Sequence, residues 1–172
     1  MKYFLRLTLT LLLITAVVAG LLALVNHFTE DKIAALKEEK AEAAMRQVLP
    51  ADSYILLPCD TEGVTALYQA GDLGYVVRLE AGGFGGAIDL MVGVNTDGTV
   101  SGISIISHAE TASLGANCTR EDWRSQFAGL SGELAVDKDG GQVDSLTGAT
   151  VTSRAVTEAV EQALNVVKEV AQ

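Results

Sequence analysis

Between Asp144 and Ser153 the chain reads DSLTGATVTS, a stretch whose residue types and spacing could do chemistry. Gly148 and Ala149 are small enough for the backbone to turn sharply and leave the Thr150 hydroxyl accessible. Directly downstream, Val156, Val160, Leu164 and Val167 recur at helical spacing, so a helix is expected from about Ser153 to Val170. Free amides in its first turn, with the positive end of its dipole, would hold a phosphate. A plain helix cap by Thr152 or Ser153 uses the same residues, and these physical grounds leave both readings open.

Other candidates carry weaker signals. His108 and Glu110, in Ser107-His108-Ala109-Glu110-Thr111, fall just past an expected strand and could form an acid/base pair, although isolated pairs of this kind are more often structural. Gly82-Gly83-Phe84-Gly85-Gly86 lacks the G-x-G-x-x-G spacing of a nucleotide loop and leads into a strand, so a mobile hairpin tip is expected. Cys59 and Cys118 have neither C-x-x-C spacing nor flanking histidines, and no metal site is expected. Outside the cytoplasm they could close a disulfide loop of roughly 60 residues. Two buried thiols without a redox role are the preferred reading.

The elements that must position these residues follow from periodicity. Tyr75, Val77, Leu79 and Ala81 share one face of a strand, as do Ile88, Leu90, Val92 and Val94 of the next. Thr96-Asp97-Gly98 then turns the chain into a third strand from Val100 to Ser107. Thr119 is placed to cap a short helix carrying Trp123, Phe127 and Leu130 as core. Strands followed by helices predict an α+β domain with a mainly antiparallel sheet, closed by the C-terminal helix.

Upstream, Leu7 to Val25 is a run of 19 residues without charge, at about 1.5 Å per residue long enough to cross a hydrocarbon core of about 30 Å. A retained span is favoured over a cleaved signal peptide, because the apolar run is long and no A-x-A-like site follows it before Asn26. Lys2 and Arg6 precede the span while Glu30 and Asp31 follow it, which predicts a cytoplasmic tip over 1–6 and everything later outside. Residues 26–50 read as a solvated helical stalk stopped by Pro50, its apolar spacing broken at Lys40, and residues 51–172 as the outer domain. The net charge of −10 becomes −12 beyond the span once Lys2 and Arg6 are set aside. A nucleic-acid partner is therefore not expected.

Asp144-x-x-Thr147-Gly148-Ala149-Thr150 resembles the flavinylation motif D-x-x-[S/T]-G-A-T of extracytoplasmic FMN-binding domains, in which the last Thr carries FMN through a phosphoester bond. The stretch GGFGGAIDLMVGVNTDGTVSGISIISHAETASLG is similar to the G subunit of the Rnf-type ion-translocating ferredoxin:NAD oxidoreductase and to the C subunit of the related sodium-pumping NADH:quinone oxidoreductase. The short chain favours the Rnf-type protein. Where those families often read E-T-P-G-L-G, this chain has Glu110-Thr111-Ala112-Ser113-Leu114-Gly115. The resemblance implies FMN on Thr150, with Asp144, Thr147, Gly148, Ala149, Val151 and Thr152 around the attachment point. It makes His108, Glu110, Thr111, Leu114 and Gly115 candidates for the flavin pocket.

No base in the sequence obviously activates the Thr150 hydroxyl. The resemblance supplies a separate flavin transferase that uses FAD and Mg²⁺. It further implies an inner-membrane electron-transfer subunit, without a substrate-turnover site of its own, among membrane and iron–sulfur partners of a redox-driven ion pump. Two rival readings are a free-standing flavinylated carrier and a non-redox extracytoplasmic binding module.

Overall fold

The structure, a computed structural model, describes residues 2–171. It divides into two compact units, one ending at Glu39 and the other beginning at Lys40.

Helix α1, Lys2–Val48, supplies the whole of the first unit. Its hydroxyls are satisfied within the helix: Thr8 Oγ1 donates to Phe4 O at 2.9 Å, Thr10 Oγ1 to Arg6 O at 2.8 Å and Thr15 Oγ1 to Leu11 O at 3.0 Å. Back-bonding of this kind leaves a polar side chain tolerable in lipid. The most apolar stretch of α1 is long enough to cross a membrane and none of it is buried against protein. The long apolar helix fits a membrane anchor.

The second unit is a five-stranded antiparallel meander, β1 (Ile55–Leu57), β2 (Val64–Ala70), β3 (Gly74–Gly82), β4 (Ala87–Asn95) and β5 (Val100–His108), paired in chain order. Each strand pairs with its neighbour in sequence, so tight turns suffice to connect them. Val77, Leu79, Ala81, Ile88, Leu90, Val92 and Val94 are buried in one cluster with Val156, Val160, Leu164 and Val167 of α3 (Thr150–Val170). The alternation read from the sequence thus marks the sheet face that α3 covers.

The opposite face is also covered, which the sequence reading did not anticipate. Ala41, Ala44, Met45 and Val48, in the last turns of α1, pack on Ala70, Val76, Met91 and Ile106. A solvated stalk reaching residue 50 is therefore corrected: the compact unit begins at Lys40. The end of α1 lies close to the sheet where Gly93 has no side chain, and Ser101 Oγ donates to Val48 O at 2.6 Å, satisfying one of the carbonyls the helix end leaves open. Tyr54 Oη donates to Leu49 O at 2.7 Å and accepts from Ala51 N, fixing the turn beyond.

Two expected helix starts are also corrected. Thr119 ends a 3₁₀ turn and donates to Ala116 O, and the four-residue helix α2 (Glu121–Arg124) follows Arg120 without a side-chain cap. Trp123 and Phe127 are nevertheless core, in edge-to-face contact with ring centroids 5.2 Å apart. Helix α3 starts at Thr150, earlier than the expected Ser153.

Candidate functional site

Three hydroxyls lie in the first turn of α3, and two are committed inside the protein. Ser153 Oγ donates to Ala149 O at 3.0 Å and accepts from Leu146 N at 2.9 Å. Thr152 Oγ1 donates to Glu110 Oε2 at 2.6 Å. Neither caps the helix: the N-cap position is Ala149, and no side chain bonds to the first-turn amides. The first helical hydrogen bond runs from Ser153 N to Ala149 O, so the Thr150, Val151 and Thr152 amides stand ahead of the ladder. Thr150 Oγ1 has no hydrogen-bond partner among the described residues.

The free hydroxyl and the uncapped turn open into a cavity of about 430 Å³, lined on one side by Gly148, Ala149, Thr150, Val151 and Thr152. Across it stand Glu110, Thr111, Leu114 and Gly115 from the loop after β5, and Phe84 from the β3–β4 turn. Gly148 makes the approach with φ +75°, a left-handed conformation that disfavours any side chain, and a Cβ there would stand 3.2 Å from Leu114 Cδ2. The upstream half of the motif is held in place by its backbone. Trp123 Nε1 donates to Asp144 O at 2.7 Å, Asp144 N donates to Gln126 Oε1 at 2.7 Å, and Ser145 N donates to Asp137 Oδ1 at 3.0 Å. Hydrogen bonding from Ser145 holds the Asp137 carboxyl below the usual range.

Nine expected site residues therefore meet in one cavity: Glu110, Thr111, Leu114, Gly115, Gly148, Ala149, Thr150, Val151 and Thr152. Asp144 and Thr147 line a neighbouring, more polar cavity with Arg120 and Trp123, joined to the first through Leu114. His108 lies elsewhere, beside Lys40, Gln47 and Ser104. Its Nδ1 accepts from the Glu110 backbone N–H at 3.2 Å, while the Glu110 carboxylate reaches Gly85 N and Thr152 Oγ1, so the two side chains form no acid/base pair.

Phe84 and its flanking glycines were missed as site residues. Gly85 N donates to Glu110 Oε1 at 2.8 Å and Gly83 N to Gly86 O at 2.9 Å, so the expected mobile tip is tied to the cavity wall. Four glycines around one aromatic were the available signal. The cysteines are free thiols, Cys118 buried and Cys59 half-buried.

Comparison with known proteins gives the family. The family described as FMN-binding domain matches residues 83–165, from the β3–β4 turn into α3, and the RnfG N-terminal region matches residues 2–48, the extent of α1. The G subunit of the ion-translocating oxidoreductase complex of Methanosarcina acetivorans is 35% identical over 92% of this chain and 91% of its own. The chain belongs to the G-subunit family of ion-translocating oxidoreductase complexes. Another relative in that family, the G subunit of the proton-translocating ferredoxin:NAD(+) oxidoreductase complex of Clostridium ljungdahlii, is 35% identical over 89% of this chain and 86% of its own. Among solved structures, the C subunit of the Na(+)-translocating NADH-quinone reductase of Parabacteroides distasonis shares the fold, with TM-score 0.51 and 21% identity over 74% of this chain and 79% of that one.

The residues of the cavity fit a flavin mononucleotide. Uncapped amides suit a phosphate, a free hydroxyl stands beside them, and Phe84, Leu114 and Val151 offer apolar surface for a ring.

Proposed function

We propose that this chain is the membrane-anchored electron-transfer subunit of an ion-translocating ferredoxin:NAD oxidoreductase complex, carrying FMN as a phosphoester on Thr150. One observation carries the attachment site: of the three hydroxyls in the first turn of α3, Thr150 Oγ1 alone is uncommitted, and it faces the cavity beside the free amides. The Thr150, Val151 and Thr152 amides hold the phosphate with the helix dipole behind them. Gly148 lets the backbone come close. Phe84, Leu114 and Val151, exposed at the cavity wall, would give the ring an apolar surface to pack on. The bound flavin supplies reversible electron transfer; the protein orients it and sets its surroundings.

Glu110, the acid nearest the motif in the cavity, already accepts from Gly85 N and Thr152 Oγ1. That supports a separate transferase rather than self-attachment. Lys2 and Arg6 before the span, and the acidic charge after it, support a cytoplasmic N-terminus with the flavin domain on the outer face. Membrane and iron–sulfur proteins of the complex then serve as its electron partners.

The test is production of the full chain beside a flavin transferase, followed by denaturation, gel fluorescence and intact mass. Wild type is expected to retain one FMN phosphoryl adduct and Thr150→Ala to retain none. An adduct persisting in Thr150→Ala, or its absence from wild type, overturns the proposal.

A further inference from the structure

Glu110 is the one ionisable side chain among the described residues that line the Thr150 cavity. It is only 9% exposed, and both of its oxygens accept hydrogen bonds from neutral donors, Gly85 N at 2.8 Å and Thr152 Oγ1 at 2.6 Å. Room has been cleared for it on two sides: a Cβ on Gly83 would overlap Oε1, and one on Gly115 would overlap Oε2. No Lys, Arg or His pairs with it among the described residues. A carboxylate placed so carefully and left without a cation projects its charge through a poorly screening interior. Burial pushes the Cys118 thiol up to about 11, the Glu110 charge adding to that effect and the Arg124 charge opposing it.

We propose that Glu110 is a built-in fixed charge that lowers the reduction potential at the Thr150 site. This rests on the reading of Thr150 as the flavin attachment point. Uptake of two electrons and one proton leaves the cavity one negative charge richer than before. A neighbouring carboxylate opposes that charge by Coulomb repulsion, so the oxidised state is favoured and a stronger reductant is needed. The hydrogen bonds from Gly85 and Thr152 moderate the effect and hold the charge at a fixed distance from α3.

The experiment is a redox titration of the full-length, flavin-loaded protein with dithionite as electron source, read by flavin absorbance. Glu110→Gln preserves size and an acceptor for Gly85 N. Its reduction equilibrium is expected to move about tenfold toward the reduced form, about 30 mV more positive for a two-electron couple. Thr152→Val removes one donor from the carboxylate and is expected to move the midpoint the other way. Glu110→Asp keeps the charge on a shorter arm, so its melting temperature falls while its midpoint stays on the wild-type side of Glu110→Gln.

A fully loaded Glu110→Gln protein with an unchanged midpoint overturns the proposal and leaves the attachment reading intact. So does a Glu110→Asp midpoint that follows Glu110→Gln, because packing would then be the cause. Should Glu110→Gln fail to load, Thr152→Val decides: a midpoint at or above wild type refutes the charge. Wild-type protein without denaturation-stable flavin overturns both readings.

Discussion

Single atoms decide what the TGAT turn can do, and Gly148 shows how narrowly. Its φ of +75° and the 3.2 Å separation between a would-be Cβ and Leu114 Cδ2 mean that Gly148→Ala meets both strain and contact. At Gly129 the backbone is equally left-handed, φ +81°, but the space is open. Both alanine variants are expected to lose about 1 kcal/mol in denaturant melts. Only Gly148→Ala should also lose flavin loading, and equal loading of the two would show that the cavity tolerates a methyl there. Cys118 provides a pH test. Its folded-state value of about 11 lies above the reference of 9.0, so the folded form holds its proton more tightly than the unfolded chain. The stabilisation is complete below pH 9.0 and lost as the pH rises through about 11, where Cys118→Ala should remove that part of the alkaline loss in urea melts at successive pH values.

At the scale of elements, the two sheet faces were not equally legible. Strands β3 and β4 could be read because Val77, Leu79, Leu90 and Val92 alternate toward α3. The partner of the other face was hidden among charges. Ala41, Ala44, Met45 and Val48 follow helical spacing, but the two alanines carry little hydrophobic signal and Lys40 stands just before them. The start of α3 was missed for a related reason: Thr150, Val151 and Thr152 are β-branched and no capping side chain announces them. Motif order also says nothing about direction. Asp144 and Thr147 turn into the adjoining cavity although they belong to the same seven-residue motif as Thr150. His108 leaves the site because β5 carries it toward the face on which α1 ends. The contact of α1 with the sheet predicts a contrast between neighbouring glycines. A Cβ at Gly93 would strike Ser101 Oγ and stand 2.7 Å from Val48 O, whereas at Gly102 the nearest atoms of Val48 are 3.8 Å away. Gly93→Ala is expected to cost about 1–3 kcal/mol by overpacking and Gly102→Ala much less, measured by thermal unfolding of the two variants side by side.

For the whole molecule, the boundary at Lys40 is the feature to cut at. A chain beginning at Lys40 is expected to be monomeric and to melt cooperatively, since it keeps the turns of α1 that cover Ala70, Val76, Met91 and Ile106. Beginning instead at Ala51 strips Met45 and Val48 from that face, at about 1.5–3 kcal/mol for each buried side chain, and should give a less stable, self-associating product in size-exclusion chromatography. In the full chain, a reporter active only outside the cytoplasm should work when fused after Gln172; activity from a cytoplasmic reporter alone would overturn the proposed orientation. The meander has a consequence for the order of events in synthesis. Every strand precedes α3 in the chain, and the cavity needs Phe84, Glu110 and Thr150 together. The sheet can pair locally as it emerges, whereas the cavity is complete only once α3 has docked. On the proposed attachment at Thr150, a transferase that recognises the finished turn would read the completeness of the chain, and a ribosomal product broken off within α3, which carries all seven motif residues, is expected to stay unlabelled.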